Sequence, residues 1–259
     1  MPSYPLTTLK RLCIIAVALT TLLSLPAQGE DRQKGQNVFE FNISPNGYPP
    51  YLIVDGKEPA GIMWDVVELI APRLGYEVKA QRIPRKRVDQ MLAEGYIDGT
   101  PRAIQWTSEP ENFLFTDPIV HVEEVFFFPK HSDLEFQSIE DLTGKTIVTP
   151  LGYVYPNLEP YFSEGRINRF DVSHDRNMFR YLLHSKRFDA ALADRLVGRW
   201  ILKTEGLDEH FRSSGKSVNQ YGFRLMLRPD WTEFAQAFNQ ELASIRENGE
   251  LDTILARYR

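Results

Sequence analysis

Cysteine is almost missing from this chain. Its 259 residues hold one, Cys13, inside an apolar N-terminal run. Without that run there is no disulfide and no thiol chemistry, so even in an oxidising compartment the core alone must hold the fold. Histidine is sparse as well. The five (His121, His131, His174, His184 and His210) include no pair at the i, i+4 spacing of a helical zinc site, so no metal site is expected. No Gly-rich phosphate loop and no Gly-x-Ser-x-Gly elbow occurs, which removes the usual signatures of nucleotide binding and serine hydrolysis. No cofactor and no catalytic residue is singled out. A basic excess is lacking too. Lys and Arg number 30 against 35 Asp and Glu, a net charge of −5, which disfavours nonspecific nucleic-acid binding. After the N-terminus no run is long and apolar enough to span a bilayer, and no low-complexity linker divides the chain.

The N-terminus reads as a secretory signal peptide. Lys10 and Arg11 precede an uncharged apolar run over 12–25, and Ala27 and Gly29 supply small residues at signal-peptidase spacing. The run is short for a membrane span, which needs about 20 residues; a retained anchor is the alternative. Cys13 lacks the small residues that precede a lipid-modified cysteine. Cleavage after Gly29 leaves 230 residues with 28 basic and 35 acidic side chains, a net charge of −7. That is enough for one large domain or two small ones.

Two stretches 91 positions apart then read alike. Val88, Met91-Leu92, Ile97 and Asp98 of the first fall in register with Phe179, Leu182-Leu183, Phe188 and Asp189 of the second. Each predicts the end of an amphipathic helix, a tight turn, and an Asp entering a strand. The turn carries Gly95 in one copy and Lys186 in the other. A duplicated helix–turn–strand unit implies two similar α/β lobes, with a cleft between them where small ligands bind.

The remaining pattern alternates strand and helix. Residues 38–44 predict a first strand and 52–54 another. Asp65 is placed as the cap of a helix with Val66, Val67, Leu69, Ile70 and Leu74 on its apolar face, Pro72 kinking or ending it and Gly75 closing it. A strand over 77–83 and a helix over 88–94 follow. The β-prone run 119–129, strands over 146–149 and 190–194, and a final β-prone run over 221–227 complete the order. Asp230 to Glu233 matches a capping box ahead of a helix with Phe234, Phe238, Leu242 and Ile245 on one face, and 251–258 predicts a short terminal helix. Strand-helix alternation points to parallel α/β packing. Chain crossings near 127–131 and 219–223 would form a double hinge that bends to close the cleft.

Tyr48-Pro49-Pro50-Tyr51, Gly61-Ile62-Met63-Trp64-Asp65, Gly95-Tyr96-Ile97-Asp98-Gly99, Phe115-Thr116-Asp117-Pro118-Ile119, Leu142-Thr143-Gly144-Lys145-Thr146-Ile147-Val148 with Gly152, and Arg187-Phe188-Asp189-Ala190-Ala191 follow in that order, and Asn248-Gly249 closes the set. By this order and spacing, across nearly all of the mature chain, the sequence resembles the bacterial extracellular solute-binding proteins of family 3, the polar amino-acid-binding type, as a divergent branch. The resemblance implies a two-lobed periplasmic binding protein fold of class α/β, each lobe a mixed sheet flanked by helices, joined by a double-strand hinge. Residues 30–128 and 222–259 would form lobe 1 and 129–221 lobe 2. It also implies a periplasmic receptor for a small polar, amino-acid-like solute, working as a monomer and feeding an inner-membrane ABC permease.

One departure bears on the ligand. Trp106-Thr107-Ser108-Glu109-Pro110-Glu111-Asn112 stands where family members carry Thr-Pro-Glu-Arg, whose Arg grips the ligand α-carboxylate. Thr107 matches; Pro110 takes the place of Arg. Arg102, just upstream, is an alternative source of the cation, or else part of a surface salt bridge. Arg87 matches an Arg seen in other branches of the family, within a basic run over 82–87 that otherwise reads as a solvated face. Asp194 fits the second-lobe carboxylate that receives a ligand amine, the reading preferred, with the cap of a helix starting at Arg195 as the alternative. Tyr51, Trp64, Trp106, Tyr153 and Tyr155 are candidate aromatic walls, with core packing or a surface turn as the other reading; Trp64 suits the core better and Tyr153 the wall.

Three functions follow: a receptor for transport, a periplasmic enzyme of the dehydratase kind recruiting Glu109, Glu111 or Asp194, and a ligand-sensing partner of a membrane signalling protein. The binding set expected is Tyr51, Arg87, Arg102, Trp106, Thr107, Tyr153 and Asp194, with a non-enzymatic role.

Overall fold

The computed structural model describes residues 38–258; the segment over 1–29, expected to be a signal peptide, lies outside the described residues. The first half runs β1 (Val38–Asn42), α1 (Ile62–Arg73), β2 (Glu77–Gln81), α2 (Arg85–Ala93) and β3 (Gly99–Arg102), with β1 parallel to both β2 and β3. The short β4 (Leu114–Phe115) and the long β5 (Val120–Pro129) follow. The second half repeats the plan: β6 (Thr146–Pro150), α3 (Glu159–Ser163), β7 (Asn168–Val172), α4 (Asp175–His184) and β8 (Ala190–Asp194), with β6 parallel to β7 and β8. Then come α5 (Arg195–Thr204), β9 (Phe211–Ser213), the long β10 (Asn219–Leu227), α6 (Thr232–Glu247) and α7 (Glu250–Ala256).

The sheet order is β2-β1-β3-β10-β5-β8-β6-β7, so each half is a βαβαβ unit with one long antiparallel strand laid against it. This is the two-lobed α/β fold that the repeat implied. Its physical basis lies in the two aspartates. Asp98 Oδ2 accepts the Glu40 N–H at 2.8 Å, and Asp189 Oδ2 accepts the Thr146 N–H at 2.8 Å. Each Asp thereby fastens the turn after a helix to the first strand of its own lobe, across a distance in sequence of 58 or 43 residues.

The long strands join the halves. Val120–Glu124 of β5 pair with Asn219–Phe223 of β10; beyond that, β10 continues along β3 and β5 continues along β8. The second expected crossing therefore coincides with this pair. The first lies about seven residues earlier than 127–131: the β10-paired stretch of β5 is Val120–Glu124, which carries His121, Glu123 and Glu124, and the apolar Val125–Phe128 follows it along β8. Val125–Phe128 is apolar because both faces of that part of β5 are covered. Phe126 and Phe128 pack with Phe136, Ile147 and Tyr155; Val125 and Phe127 face the other cluster with Phe179 and Val197.

Four local expectations need correction. Helix α1 starts at Ile62 behind Gly61, whose φ of +112° suits glycine; Asp65 sits inside the first turn, where it accepts the Tyr258 hydroxyl at 2.8 Å and pairs with Arg257. Pro72 falls in the last turn, so the helix ends one residue later without an early break. Helix α6 follows Trp231 with no side-chain capping bond, since Asp230 pairs with Arg228 instead. Residues 52–54 form isolated bridges, Tyr48 with Leu52 and Ile53 with Ala60, so this segment is a loop braced on itself.

Candidate functional site

The aromatic wall is built by the loop after β1. Tyr48 and Tyr51 stack at 5.4 Å between ring centres, and Phe223 of β10 meets Tyr51 edge-on at 5.1 Å. Trp106, in the 3₁₀ turn Ile104–Trp106, lies 5.5 Å from Phe223 and 6.4 Å from Tyr221. Five rings sharing edges and faces form a stiff surface, because aromatic pairs prefer these offset and T-shaped contacts. The loop holds its shape through the Tyr48–Leu52 and Ile53–Ala60 bridges and through Gly61. A Cβ at Gly61 would stand 2.6 Å from the Tyr51 carbonyl oxygen, so no larger residue fits there.

Opposite this wall stands Asp194, the last residue of β8 and the N-cap of α5. Its Oδ1 accepts the Leu196 and Val197 N–H groups at 3.0 Å each and the Tyr51 hydroxyl at 3.0 Å. Its Oδ2 accepts the Glu123 N–H at 2.9 Å. The cap reading of Asp194 holds, and the same carboxylate faces the aromatic loop. Burial pushes its pKa up, while the three backbone N–H groups and Tyr51 pull the other way. Burial and the Asp194 charge push the Tyr51 hydroxyl well above its ordinary range, so it stays protonated and donates.

Two more acids act on Tyr153 together with Asp194, and the sequence reading named neither. Glu124 is Asp194's register partner in the β5–β8 pair and is 6 % exposed. Asn219 donates to its Oε2 at 2.5 Å, and Asn157 donates to Asn219 in turn at 2.6 Å. Desolvation raises Glu124 to a pKa of about 7 against this bond. Asp175, the half-buried first residue of α4, is also raised by burial. Tyr153, after the Gly152 turn, is the ring on which the charges of Asp175, Arg85, Asp194 and Glu124 all act; burial drives its hydroxyl pKa up. The Tyr155 hydroxyl is buried with no hydrogen-bond partner.

The cations are arranged differently from the sequence expectation. Arg102 is buried and bound to Asp89 at 2.6 Å; its Nε is buried without a partner, and burial lowers its pKa. Its expected surface alternative is therefore half right: the salt bridge is there, but on a buried arginine. Arg87 is exposed, and among the described residues its side chain makes no hydrogen bond, ion pair or ring contact. The member of that basic run that reaches the aromatic wall is Arg85. Its guanidinium carbon lies 6.0 Å from the Trp106 ring centre and 5.9 Å from the Tyr153 ring centre. Thr107 is buried with its hydroxyl on the Met226 sulfur at 3.6 Å. Pro110 opens the 3₁₀ turn Pro110–Asn112 and brings no charge.

Of the expected set, the structure joins Tyr51 to Asp194, brings Trp106 and Tyr153 to Arg85, leaves the Arg87 side chain without a contact among the described residues, and commits Arg102 and Thr107 to other partners. Arg85, Glu124, Asp175 and Phe223 are the additions. The Arg85–Asp89 helical spacing was the one signal that could have separated Arg85 from Arg87: Asp89, one turn on, binds Arg102 and so places this face of α2 against the cleft. Among the described residues no helix is long and apolar enough to cross a membrane, and no group of three or more His, Cys, Asp and Glu could hold a metal ion.

Comparison with known proteins places this geometry. The arginine-binding extracellular protein ArtP of Bacillus subtilis (strain 168) is 23% identical, over 96% of this chain and 98% of its own length. Among solved structures, a binding component of an ABC transporter from Wolinella succinogenes, complexed with lysine, superposes with a TM-score of 0.71 at 17% identity, covering 86% of this chain and 96% of that one. The ancestral amino-acid-binding protein AncCDT-1, a precursor of cyclohexadienyl dehydratase, superposes at 0.67 with 18% identity, over 86% and 95% of the two chains. At such identities these structures speak for the fold. The model of the bacterial extracellular solute-binding proteins, family 3, matches residues 43–259, all but the first five described positions and the segment before them, and the chain belongs to that family.

Proposed function

We propose that this chain is a periplasmic receptor for an amine-bearing, amino-acid-like solute, held between the aromatic wall of lobe 1 and Asp194 of lobe 2. The observation that carries this reading is Asp194 itself. It is a buried carboxylate with three acceptor bonds on Oδ1 and one on Oδ2, which leaves Oδ2 open to an ammonium. Glu124 and Asp175 add acidic groups on the same side, and Tyr48, Tyr51, Trp106 and Tyr153 supply ring faces that attract cations. Arginine and lysine recur in the names of the relatives above, in keeping with an acidic, aromatic-lined cleft.

In this reading the lobes are 30–128 with 222–259, and 129–221, and the β5–β10 pair between them bends on closure. Ligand contacts from both lobes exist only when they meet, so ligand shifts the population to the closed form. Residues 1–29 direct export and are removed, and the loaded monomer delivers to an inner-membrane ABC permease. Binding without turnover is expected. The AncCDT-1 likeness favours one second reading, a dehydratase on the same scaffold, because that fold has served both roles.

The test is a thermal-shift and calorimetric screen of the chain from residue 30 onward against amino acids, opines, small peptides, polyamines and organic acids. Ligand that binds the native state raises Tm by mass action. Shifts confined to amine-bearing compounds, abolished in Asp194→Asn, support the receptor. Equal shifts with compounds lacking an amine overturn it, and chemical conversion of a bound compound establishes the enzyme.

A further inference from the structure

Two buried acids meet where the long strands change partners. Glu124 is the residue at which β5 passes from β10 to β8: it pairs in register with Asn219 on one side and with Asp194 on the other. Residues directly opposite in antiparallel strands carry their side chains on one face, about 4.5–5.5 Å apart at Cβ. Both carboxylates are buried, and like charges held that close do not both ionise freely.

The donors around the pair decide which acid keeps a proton. Asp194 accepts the Leu196, Val197 and Glu123 N–H groups and the Tyr51 hydroxyl. Among the described residues Glu124 accepts one donor, the Asn219 side-chain amide. Asn157 donates to the Asn219 Oδ1, which turns the N–H side of that amide toward Glu124. Hydrogen bonds donated to a carboxylate favour its charged form, so the charge rests on Asp194 and the proton on Glu124. Desolvation, with the Asp194 charge behind it, holds Glu124 at about 7. The other groups on this side leave the assignment unchanged. Burial pushes the Tyr221 hydroxyl of β10 up to about 12 and raises Tyr153 and Tyr155, after β6, as well, so all three stay protonated at neutral pH. Arg169 of β7 lies over the Tyr155 ring and is bound to Glu159 and Asp171. Asp175 of α4 and Arg85 of α2 act on Tyr153, and Glu123, the neighbour of Glu124 on β5, is bound to Arg195.

We propose that Glu124 is a proton-linked positioning residue of the cleft: an ammonium group that settles on Asp194 drives the proton off Glu124, so capture releases a proton to solvent and tightens as pH rises. This rests on the receptor reading for the ammonium and adds the proton. The ammonium compensates the Asp194 charge that opposed ionisation of Glu124, and the Glu124 carboxylate then adds a second negative charge beside the captured cation. No bond of the solute changes. The free protein binds more protons than the loaded one, so the gain in affinity is complete above the titration of the free protein and is lost below that of the loaded form.

Calorimetry on the chain from residue 30 onward tests this. The probes are the L-amino acids other than histidine and cysteine, whose side chains titrate in or near the same window, and their N-acetyl forms, which lack the ammonium. Wild type is expected to bind its best amino acid about 10-fold tighter at pH 8 than at pH 5.5, the effect of one pKa unit of coupling. At pH 7, heats measured in buffers of different ionisation enthalpy should report roughly 0.4 proton released per site. Glu124→Gln keeps an acceptor for Asn219 and copies the protonated acid. It is expected to hold the pH 5.5 affinity of wild type throughout and to release no proton, whereas a merely structural role would weaken binding and leave the slope; matching far-UV spectra and Tm at pH 5.5 check the fold. A further readout needs no ligand. Asp194→Asn takes away the same charge, so the Glu124 carboxyl carbon, followed by NMR, should titrate at lower pH than in wild type. With amino acids bound, a flat affinity profile in wild type, a slope that survives in Glu124→Gln, or a Glu124 titration unmoved by Asp194→Asn overturns the proposal and leaves the receptor standing. An N-acetyl form that binds with the same slope overturns both, as does the absence of binding by every probe at every pH.

Discussion

Replacing Asp194 by Ala removes one side chain and strands four donors. Two are the first free N–H groups of α5, at Leu196 and Val197; one is the Glu123 N–H of β5; the fourth is the Tyr51 hydroxyl. Loss of a helix cap costs roughly 0.5–2 kcal/mol. Each buried donor left without water costs about 1–3 kcal/mol, but these do not add, because the cavity left by the carboxylate admits water. Burial also disfavours the charge, as the raised pKa of Asp194 records, and its removal returns part of the loss. The net expectation is a destabilisation of about 2–3 kcal/mol, a drop in Tm of roughly 4–12 °C for a chain of this size. Asp194→Asn keeps an oxygen for the α5 N–H groups but sets an amide N–H against Glu123, so its loss is smaller, about 1 kcal/mol. Both variants lose the amine ligand equally. Urea unfolding read by circular dichroism, with calorimetric affinity on the same samples, separates cap from charge. Asp194→Ala within about 0.5 kcal/mol of wild type would refute the capping argument. Asp194→Asn as unstable as Asp194→Ala would show that the charge, and not the acceptor geometry, carries the stability.

The native state keeps the Glu124 proton up to a pH of about 7, whereas the unfolded chain releases it near 4.5. The native state thus binds more protons in between, and stability falls as pH rises through that window, by about 3 kcal/mol from this group. Glu124→Gln should flatten the profile between those limits and equal or exceed wild type in urea unfolding at pH 8; an unchanged slope would place the titration elsewhere. Tyr51→Phe keeps the stack on Tyr48 and Phe223 but removes the bond to Asp194. It should cost about 1 kcal/mol and increase the ligand-free radius of gyration in small-angle scattering, and no change in either would mean that the bond ties nothing together. Gly61→Ala meets a positive φ and two backbone oxygens within 2.8 Å, so a loss of about 2–4 kcal/mol in urea unfolding is expected, and a neutral result would show that the loop moves aside freely.

The lobes were legible in the sequence because each is built from contacts that the local pattern records. Asp98 and Asp189 recur after equivalent helices since each performs the same strand-fastening bond, and the apolar faces that precede them are one helix face against one sheet. The hinge was half legible: the β10 crossing at Asn219–Phe223 lies where it was expected, whereas the β5 crossing at Val120–Glu124, which carries His121, Glu123 and Glu124, was passed over for the apolar stretch that follows it and is buried on both faces. Helix starts failed where backbone geometry outranked side-chain preference, as at Gly61, whose positive φ leaves Asp65 free to take Tyr258. The site was least legible. Tyr51 and Asp194 meet across 143 positions, and Asn219 reaches Glu124 across 95, separations at which spacing says nothing. Arg87 rather than Arg85 drew attention because a run of cations looks alike until α2 is given a direction.

The division of charge between the lobes bears on how closure is driven. A ligand shifts the equilibrium only by the difference in its affinity for the two states, so contacts on one lobe alone contribute nothing to closing. Here Arg85 and Trp106 stand on one lobe and Asp194, Glu124 and Tyr153 on the other. A solute that reaches only one lobe would be satisfied by the open form and gain little from closure. A zwitterion of matching length is satisfied only when both lobes reach it. The Tyr51–Asp194 bond lowers the cost of that approach before any ligand arrives, which leaves more of the binding energy for affinity and less for closure. On this argument the cleft discriminates by the spacing of opposite charges first and by side-chain chemistry second, and a pair of zwitterions differing by one methylene between amine and carboxylate should differ in affinity more than a pair differing by one methylene in the side chain.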